Sequence, residues 1–254
     1  VVVDDMPFLV DSVTMELSRQ MRDVHVVIHP SFDVVRDITG ELQSLAPVAD
    51  GALEPEGGAE RESWMHVEID RLPDGDEPQA VVEDIQRVLR DVREAVEDWR
   101  KMHAQVEDIV SGLEQSPPRL DDADEVRQAQ ELLQWLAEEH FTFLGYKEYR
   151  LEVHEDGDHL RAVPGSGLGI LRADSDMSES SGRLPDAVAA KAREKTLLVL
   201  AKANSRATVH RPAYLDYVGV KTFDANGEVD GERRFLGLFS SAAYTESLKR
   251  IPLI

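Results

Sequence analysis

The hydrophobic period changes within the first ten residues. Val1 to Val3 form an unbroken apolar run, as in a buried strand, whereas Leu9, Val13, Leu17 and Met21 recur every four residues, the spacing of one helix face. The switch falls on "DDMPF", where Asp5 suits the helix cap and Pro7 the first turn, in which no intrahelical hydrogen bond is lost. The β-branched stretch "HVVIHPSFDVVRD" (25–37) predicts a second strand, bent or placed at an edge by Pro30. Residues 46–61, with Gly, Pro and Glu, read as loop. "ESWMHVEIDRL" (62–72) alternates and predicts a third strand.

From Gln79 the apolar set Val82, Ile85, Leu89, Val92, Val96 and Trp99 marks a helix whose stripe continues through Val106, Ile109 and Leu113. At ~1.5 Å per residue it is roughly 50 Å long, too long for one small sheet. Its second half should project, with Val106, Ile109 and Leu113 packing on a second domain or another chain. Glu83 with Arg87, and Glu97 with Lys101, are spaced as exposed i,i+4 pairs. "SPPRLDDAD" (116–124) ends the pattern and predicts the boundary between a domain over 1–116 and another over 120–254.

The second part starts with a helix, Glu125 to about Glu139. "FTFLGYKEYRLEV" then predicts a strand, "HEDGDH" a turn and "LRAVPGSGLGIL" a returning strand. Leu184 to Lys195 reads as a short helix and "TLLVLAK" as a buried strand. Asn226-Gly227 is the turn of a final hairpin. Mixed order with antiparallel hairpins gives an α+β fold class.

Charge narrows the partners. The chain of 254 residues carries 28 basic and 50 acidic residues, a formal net charge of −22, which repels nucleic acid and anionic membrane. Residues 201–254 are the exception, with 8 basic and 6 acidic residues. Cysteine is absent, which removes disulfides and thiolate chemistry and agrees with a cytoplasmic location. No apolar run approaches the ~18 residues of a membrane span. A start inside a strand-like run and a stop at "KRIPLI" suggest a piece of a longer polypeptide.

Candidate chemistry is sparse. His25 and His29 in a strand lie ~13 Å apart, so one metal ion cannot hold both. "HEDGDH" has metal-ligand residue types, but Asp-Gly at its centre is hairpin chemistry. "PGSGLGIL" neither follows a clear buried strand nor opens a periodic helix, so it fails as a dinucleotide fingerprint. No Gly-x-Ser-x-Gly elbow occurs. No catalytic residue and no metal site is assigned. The basic run Lys191, Arg193, Lys195, Lys202, Arg206, His210 and Arg211 offers Lys202, Arg206 and Arg211 to an acidic partner, with ordinary surface residues as the alternative.

The β-α-β-β-α order entered through "DDMPFLVDS" resembles an ACT domain, a ferredoxin-like regulatory module, here with a long projecting helix. Taken with "VHVVIHP" and "HFTFLGYKEY", the stretch "DDMPFLVDSVTMELSRQ" resembles the N-terminal regulatory region of the large NAD-specific glutamate dehydrogenases. The resemblance implies that catalysis lies far downstream, in a parent that converts L-glutamate to 2-oxoglutarate and ammonia with NAD. This chain would then be a non-catalytic regulatory and oligomerisation segment with no cofactor of its own. Its partners would be the rest of the parent chain, other subunits of a homo-oligomer and a free amino-acid effector. It also implies a PAS-like module over 120–254 and an effector corner at Asp5, Met6, Pro7, Phe8, Leu9, Asp11 and Ser12. ACT domains usually place glycine after the proline. Phe8 stands there instead, and its ring fills the space an effector needs, so a binding corner and a structural corner both stay open. No fourth strand follows the long helix, so the first sheet has three strands or is completed from elsewhere. A ligand-free scaffold, and a self-contained hydrolase or metal enzyme, are the rival readings.

Overall fold

The computed structural model describes residues 1–48, 55, 57–72, 75, 77–120, 122, 124–172, 183–247 and 250–252. Parts of the loop expected over 46–61, of the boundary stretch 116–124 and of "KRIPLI" lie outside the described residues. The chain divides into two compact units, Val1–Arg93 with Thr208–Arg211, and Glu94–Ala207 with Pro212–Ile254. The dividing line thus falls inside the long helix and not at 116–124. The reason is that the helix stripe from Met102 onward belongs to the core of the second unit.

The first unit opens with β1 (Val2–Asp4), α1 (Leu9–Arg19), β2 (Val24–Ile28), β3 (Ser31–Arg36), β4 (Leu42–Pro47), β5 (Glu60–Trp64) and β6 (His66–Ile69), and then enters α2 (Glu77–Gln115). β1, β5, β3 and β4 lie side by side in that order, and β2 pairs with β6. The strand expected over 25–37 is therefore two, broken at Pro30, and 62–72 is likewise broken at Met65. The ladder runs on through the break, because the Trp64 N–H donates to the Pro30 carbonyl at 2.9 Å. The fourth strand was not expected: β4 lies just ahead of the expected loop, entering it only at Ala46 and Pro47, and forms a hairpin on the outer edge of β3 with every residue exposed.

Leu9, Val13 and Leu17 of α1 are buried, as their spacing predicts. Met21 is not part of that stripe. Its φ of 56° ends the helix, with the Met21 N–H on the Ser18 carbonyl and the Arg22 N–H on the Leu17 carbonyl. That is a Schellman closure with methionine in the place glycine usually takes. Buried Glu16 accepts from Arg19 at 2.6 Å and from Gln20 at 2.9 Å. The expected i,i+4 pairs on α2 are replaced by i,i+3 pairs, Arg87 with Asp84 and Lys101 with Asp98, both at 2.8 Å.

The second unit continues α2 into α3 (Asp124–Trp135), then β7 (Phe141–His154), β8 (Gly157–Ala162), β9 (Leu168–Gly169), α4 (Asp186–Arg193), β10 (Leu198–Arg206), β11 (Tyr214–Phe223), β12 (Val229–Phe239) and α5 (Ser241–Thr245). The sheet order is β10-β11-β12-β7-β8, antiparallel throughout, with β9 also on β7. Met102, Val106, Ile109 and Leu113 of α2 share one core with Leu133, Phe143, Tyr146 and Phe235. Burying each such side chain contributes about 1.5–3 kcal/mol. Phe143 and Tyr146 reach the same core although they are three apart, because the register slips at Leu144: Gly237 faces Phe143 and Leu236 faces Gly145. The bulge resets which residues point inward. "TLLVLAK" is not a buried strand but the start of edge strand β10, where Leu200 is 49% exposed.

Candidate functional site

The corner between β1 and α1 does not close as its sequence suggests. Asp5 is not the helix cap. Its N–H donates to the Arg61 carbonyl at 2.8 Å, and the cap position is Phe8, which offers no side-chain hydrogen bond. Pro7 consequently precedes the helix. Phe8 has φ 72° and ψ 0°, the left-handed conformation that glycine adopts without strain. The backbone here is thus shaped as it would be around glycine, while carrying a phenyl ring.

That ring meets Thr208–Arg211, a tetrapeptide in the connection from β10 to β11 that belongs to the first unit. The Phe8 and His210 rings lie 4.9 Å apart. The His210 N–H donates to the Oγ of fully buried Ser12 at 3.0 Å. Thr208 donates to Asp91 of α2, whose carboxyl is raised above the usual range by burial, against the hydrogen bond from Thr208 and the charges of Arg87 and Arg90. His210 has φ 78°, and its Nδ1 is buried without a partner. Burial, then the charge of Arg211, lower its pKa, while Asp11 opposes them.

The corner residues therefore separate into three groups. Phe8 and Ser12 face the tetrapeptide, and Asp5, Pro7 and Asp11 are exposed. Met6 and Leu9 line a cleft of 240 Å³ with Val3, Leu89, Arg90 and Arg93. Arg93 also pairs with Asp4 at 3.0 Å.

The remaining candidates resolve into local structure. His25 pairs with Asp70 at 2.9 Å, and His29 contacts Ser63. The "HEDGDH" stretch is the turn between β7 and β8, with Gly157 at φ 128°. Among the described residues no three His, Asp or Glu side chains cluster as metal ligands. The glycine turn does not suit a pyrophosphate, because the Gly169 N–H donates at 3.0 Å to the buried carboxylate of Asp98. The basic run is spent on carboxylates: Lys191 on Glu194 at 2.5 Å, Arg193 on Asp158, Lys195 on Glu228 at 2.6 Å, and Lys202 on Asp216 at 2.6 Å. Arg206 lies 5.1 Å over the Tyr214 ring. Sequence reading missed Asp98, and it missed Thr208–Arg211 as a corner element. Both act through contacts some 70 to 200 residues away in the chain, which no local pattern records.

A strand, a corner, α1, a bent strand pair and α2 make up an ACT-type module, and residues 1–108 match the family described as glutamate dehydrogenase, ACT1 domain. The chain is 36% identical over 253 residues to the NAD-specific glutamate dehydrogenase of Halomonas elongata, covering 99% of this chain and 15% of that protein. It is 37% identical over 251 residues to that of Pseudomonas aeruginosa, covering 98% and 15%. To that of Mycobacterium tuberculosis it is 32% identical over 260 residues, covering 100% and 14%. The chain thus carries the glutamate dehydrogenase ACT1 domain over residues 1–108, is similar over nearly its whole length to part of these NAD-specific glutamate dehydrogenases, and spans about 15% of the length of these relatives. No described helix is long and apolar enough to cross a membrane.

Proposed function

We propose that this chain is a non-catalytic regulatory and assembly segment of a cytoplasmic, oligomeric NAD-specific glutamate dehydrogenase, whose parent oxidatively deaminates L-glutamate to 2-oxoglutarate and ammonia. The observation that carries the reading is the cleft beneath the corner. Val3, Met6, Leu9 and Leu89 give it an apolar wall, and Arg90 and Arg93 supply guanidinium groups suited to a carboxylate. A free amino acid of small size has that chemistry. We further propose that residues 120–254 form a PAS-like module, a reading supported by an antiparallel sheet with its first and last long strands, β7 and β12, paired at the centre.

The test is kinetic. In the full-length parent, Arg90→Met should abolish the response to an activating or inhibiting amino acid and leave glutamate turnover without effector unchanged. An unaltered response would overturn the reading. The second reading, a corner that only supports the fold, is favoured by the Phe8–His210 contact, which fills the upper side of the corner. It predicts that the parent shows no saturable amino-acid effect lost in that variant.

A further inference from the structure

Within the second unit a cleft of 490 Å³ opens between the last turns of α2 and the β11–β12 hairpin. That volume falls in the range of roughly 300–1,000 Å³ typical of small-molecule sites. Ile109 and Leu113 of α2, Pro117 and Pro118 just beyond it, and Val220 and Phe223 of β11 give the cleft apolar walls. Asp108, Ser111, Gly112 and Gln115 also line it, at the spacing of one helix face.

Gly112 makes room for the cleft. It lies in helical backbone, where glycine is a poor helix former, yet an added Cβ would meet nothing within 4 Å. Neither a turn nor a close contact requires glycine at this position. A longer side chain would stand in the cleft itself.

The uncommitted charge here is positive. Asp108 is held by Arg233 Nη1 at 2.9 Å, and Asp224 accepts the Asn226 and Glu228 amides at 2.8 and 2.9 Å. Lys221 Nζ donates to the Lys191 and Glu194 carbonyls at 2.7 and 2.6 Å. Arg119 has no ion pair among the described residues, and Nε and Nη2 of Arg233 have no hydrogen-bond partner among them. A guanidinium fork suits a carboxylate. The C-terminal end of α2 opposes an anion with about half an elementary charge, against the full charges of Arg119 and Arg233. Two carboxylates in the lining and a net chain charge of −22 favour one negative charge on the ligand over two.

We propose that this cleft binds an amphipathic monocarboxylate, its carboxylate on the Arg119 and Arg233 guanidinium groups and its apolar body along Ile109, Leu113 and Phe223. The proposal is independent of the amino-acid reading of the cleft at Arg90.

Equilibrium dialysis of the full-length parent against radiolabelled octanoate tests it. Saturable binding is expected, weakened at least about tenfold in Arg119→Gln and in Gly112→Met, and retained in Gly112→Ala. Acetate lacks the body, octanol lacks the charge and octyl phosphate carries a second charge, so each should compete at least about tenfold more weakly than octanoate. Thermal melts check that the variants fold, and should Gly112→Met fail, exposed Arg119 decides alone. Absence of saturable binding, unchanged affinity in Arg119→Gln or in folded Gly112→Met, loss of binding in Gly112→Ala, or equal competition by any of the three analogues would overturn the proposal.

Discussion

Arg172 grips Asp98 with two nitrogens, Nε at 2.9 Å and Nη2 at 2.7 Å, although Asp98 has no exposed surface at all. The carboxylate also takes the Lys101 ammonium at 2.8 Å and the Gly169 N–H at 3.0 Å. One buried charge on α2 therefore holds the glycine turn that follows β8.

Asp98→Asn is expected to cost about 1–3 kcal/mol, since the neutral amide gives up the charge-assisted hydrogen bonds that the buried carboxylate accepts from Lys101 and half-exposed Arg172. Burial pushes the Asp98 carboxyl up, but hydrogen bonds from Lys101, the Gly169 amide and Arg172, with the charge of Arg172, push it further down, so it lies below 3.8. The sign follows directly. Its contribution is complete above pH 3.8 and is lost as pH falls through the depressed value. Denaturant melts of wild type and variant should differ most above pH 3.8 and converge below it.

Gly169→Ala should be as damaging. The residue sits at φ 59°, and an added Cβ would lie 2.1 Å from the Leu144 carbonyl oxygen. A loss of about 2–4 kcal/mol is expected in the same melts, from backbone strain and the forced parting of β9 from β7.

At position 8 the usual ranking of small residues should invert. Phe8→Ala keeps the left-handed strain and loses the ring, at about 1–2 kcal/mol. Phe8→Gly loses the same ring but relieves the strain, so it should be about 1 kcal/mol more stable than the alanine variant. A glycine variant less stable than alanine in equilibrium unfolding would contradict the backbone geometry at the corner.

His210 should make stability rise with pH. Its folded pKa is lowered by burial and by Arg211, so the folded protein binds fewer protons than the unfolded chain below pH 6.5. Stability should fall as pH drops through 6.5 toward the lowered value. Half-buried His103, lowered by burial and opposed by Glu107, acts in the same direction. Raised Asp91 acts oppositely, with stability lost as pH rises from 3.8 toward its folded value. His210→Asn, which tolerates a positive φ, should remove part of the slope below pH 6.5, and the rest should vanish with His103→Gln. An unchanged slope in His210→Asn would exclude the buried imidazole as its source.

Much of the α+β order was legible because it is written in short periods. Leu9, Val13 and Leu17 announce α1, and Asn226-Gly227 announces the β11–β12 hairpin. What stayed hidden depends on partners distant in sequence. Nothing around His210 indicates that its neighbours are Phe8 and Ser12. The cap at Asp5 was misread because a side chain able to cap was nearby, whereas the backbone turned at Phe8. β4 was masked by composition, since Leu42–Pro47 is a wholly exposed hairpin arm with no buried face to give it a period. The expected i,i+4 pairs on α2 failed by one residue each, because Arg87 and Lys101 were drawn to Asp84 and Asp98.

The bulge at Leu144 acts as a phase slip in β7. A strand encodes inside and outside by counting, one residue in and the next out, and the extra residue shifts the count by one. Phe141 and Phe143 are written in one phase, Tyr146 in the other, and only the slip lets both phases address the same core. Because the message is carried by number and not by chemistry, no substitution at Leu144 can erase it. Removing that single residue would set Phe143 beside Gly145, opposite Gly237 and Leu236, in a regular ladder with Phe141, Phe143 and Tyr146 still on one face. Removing a regularly paired residue farther along β7 would instead exchange the two faces beyond it.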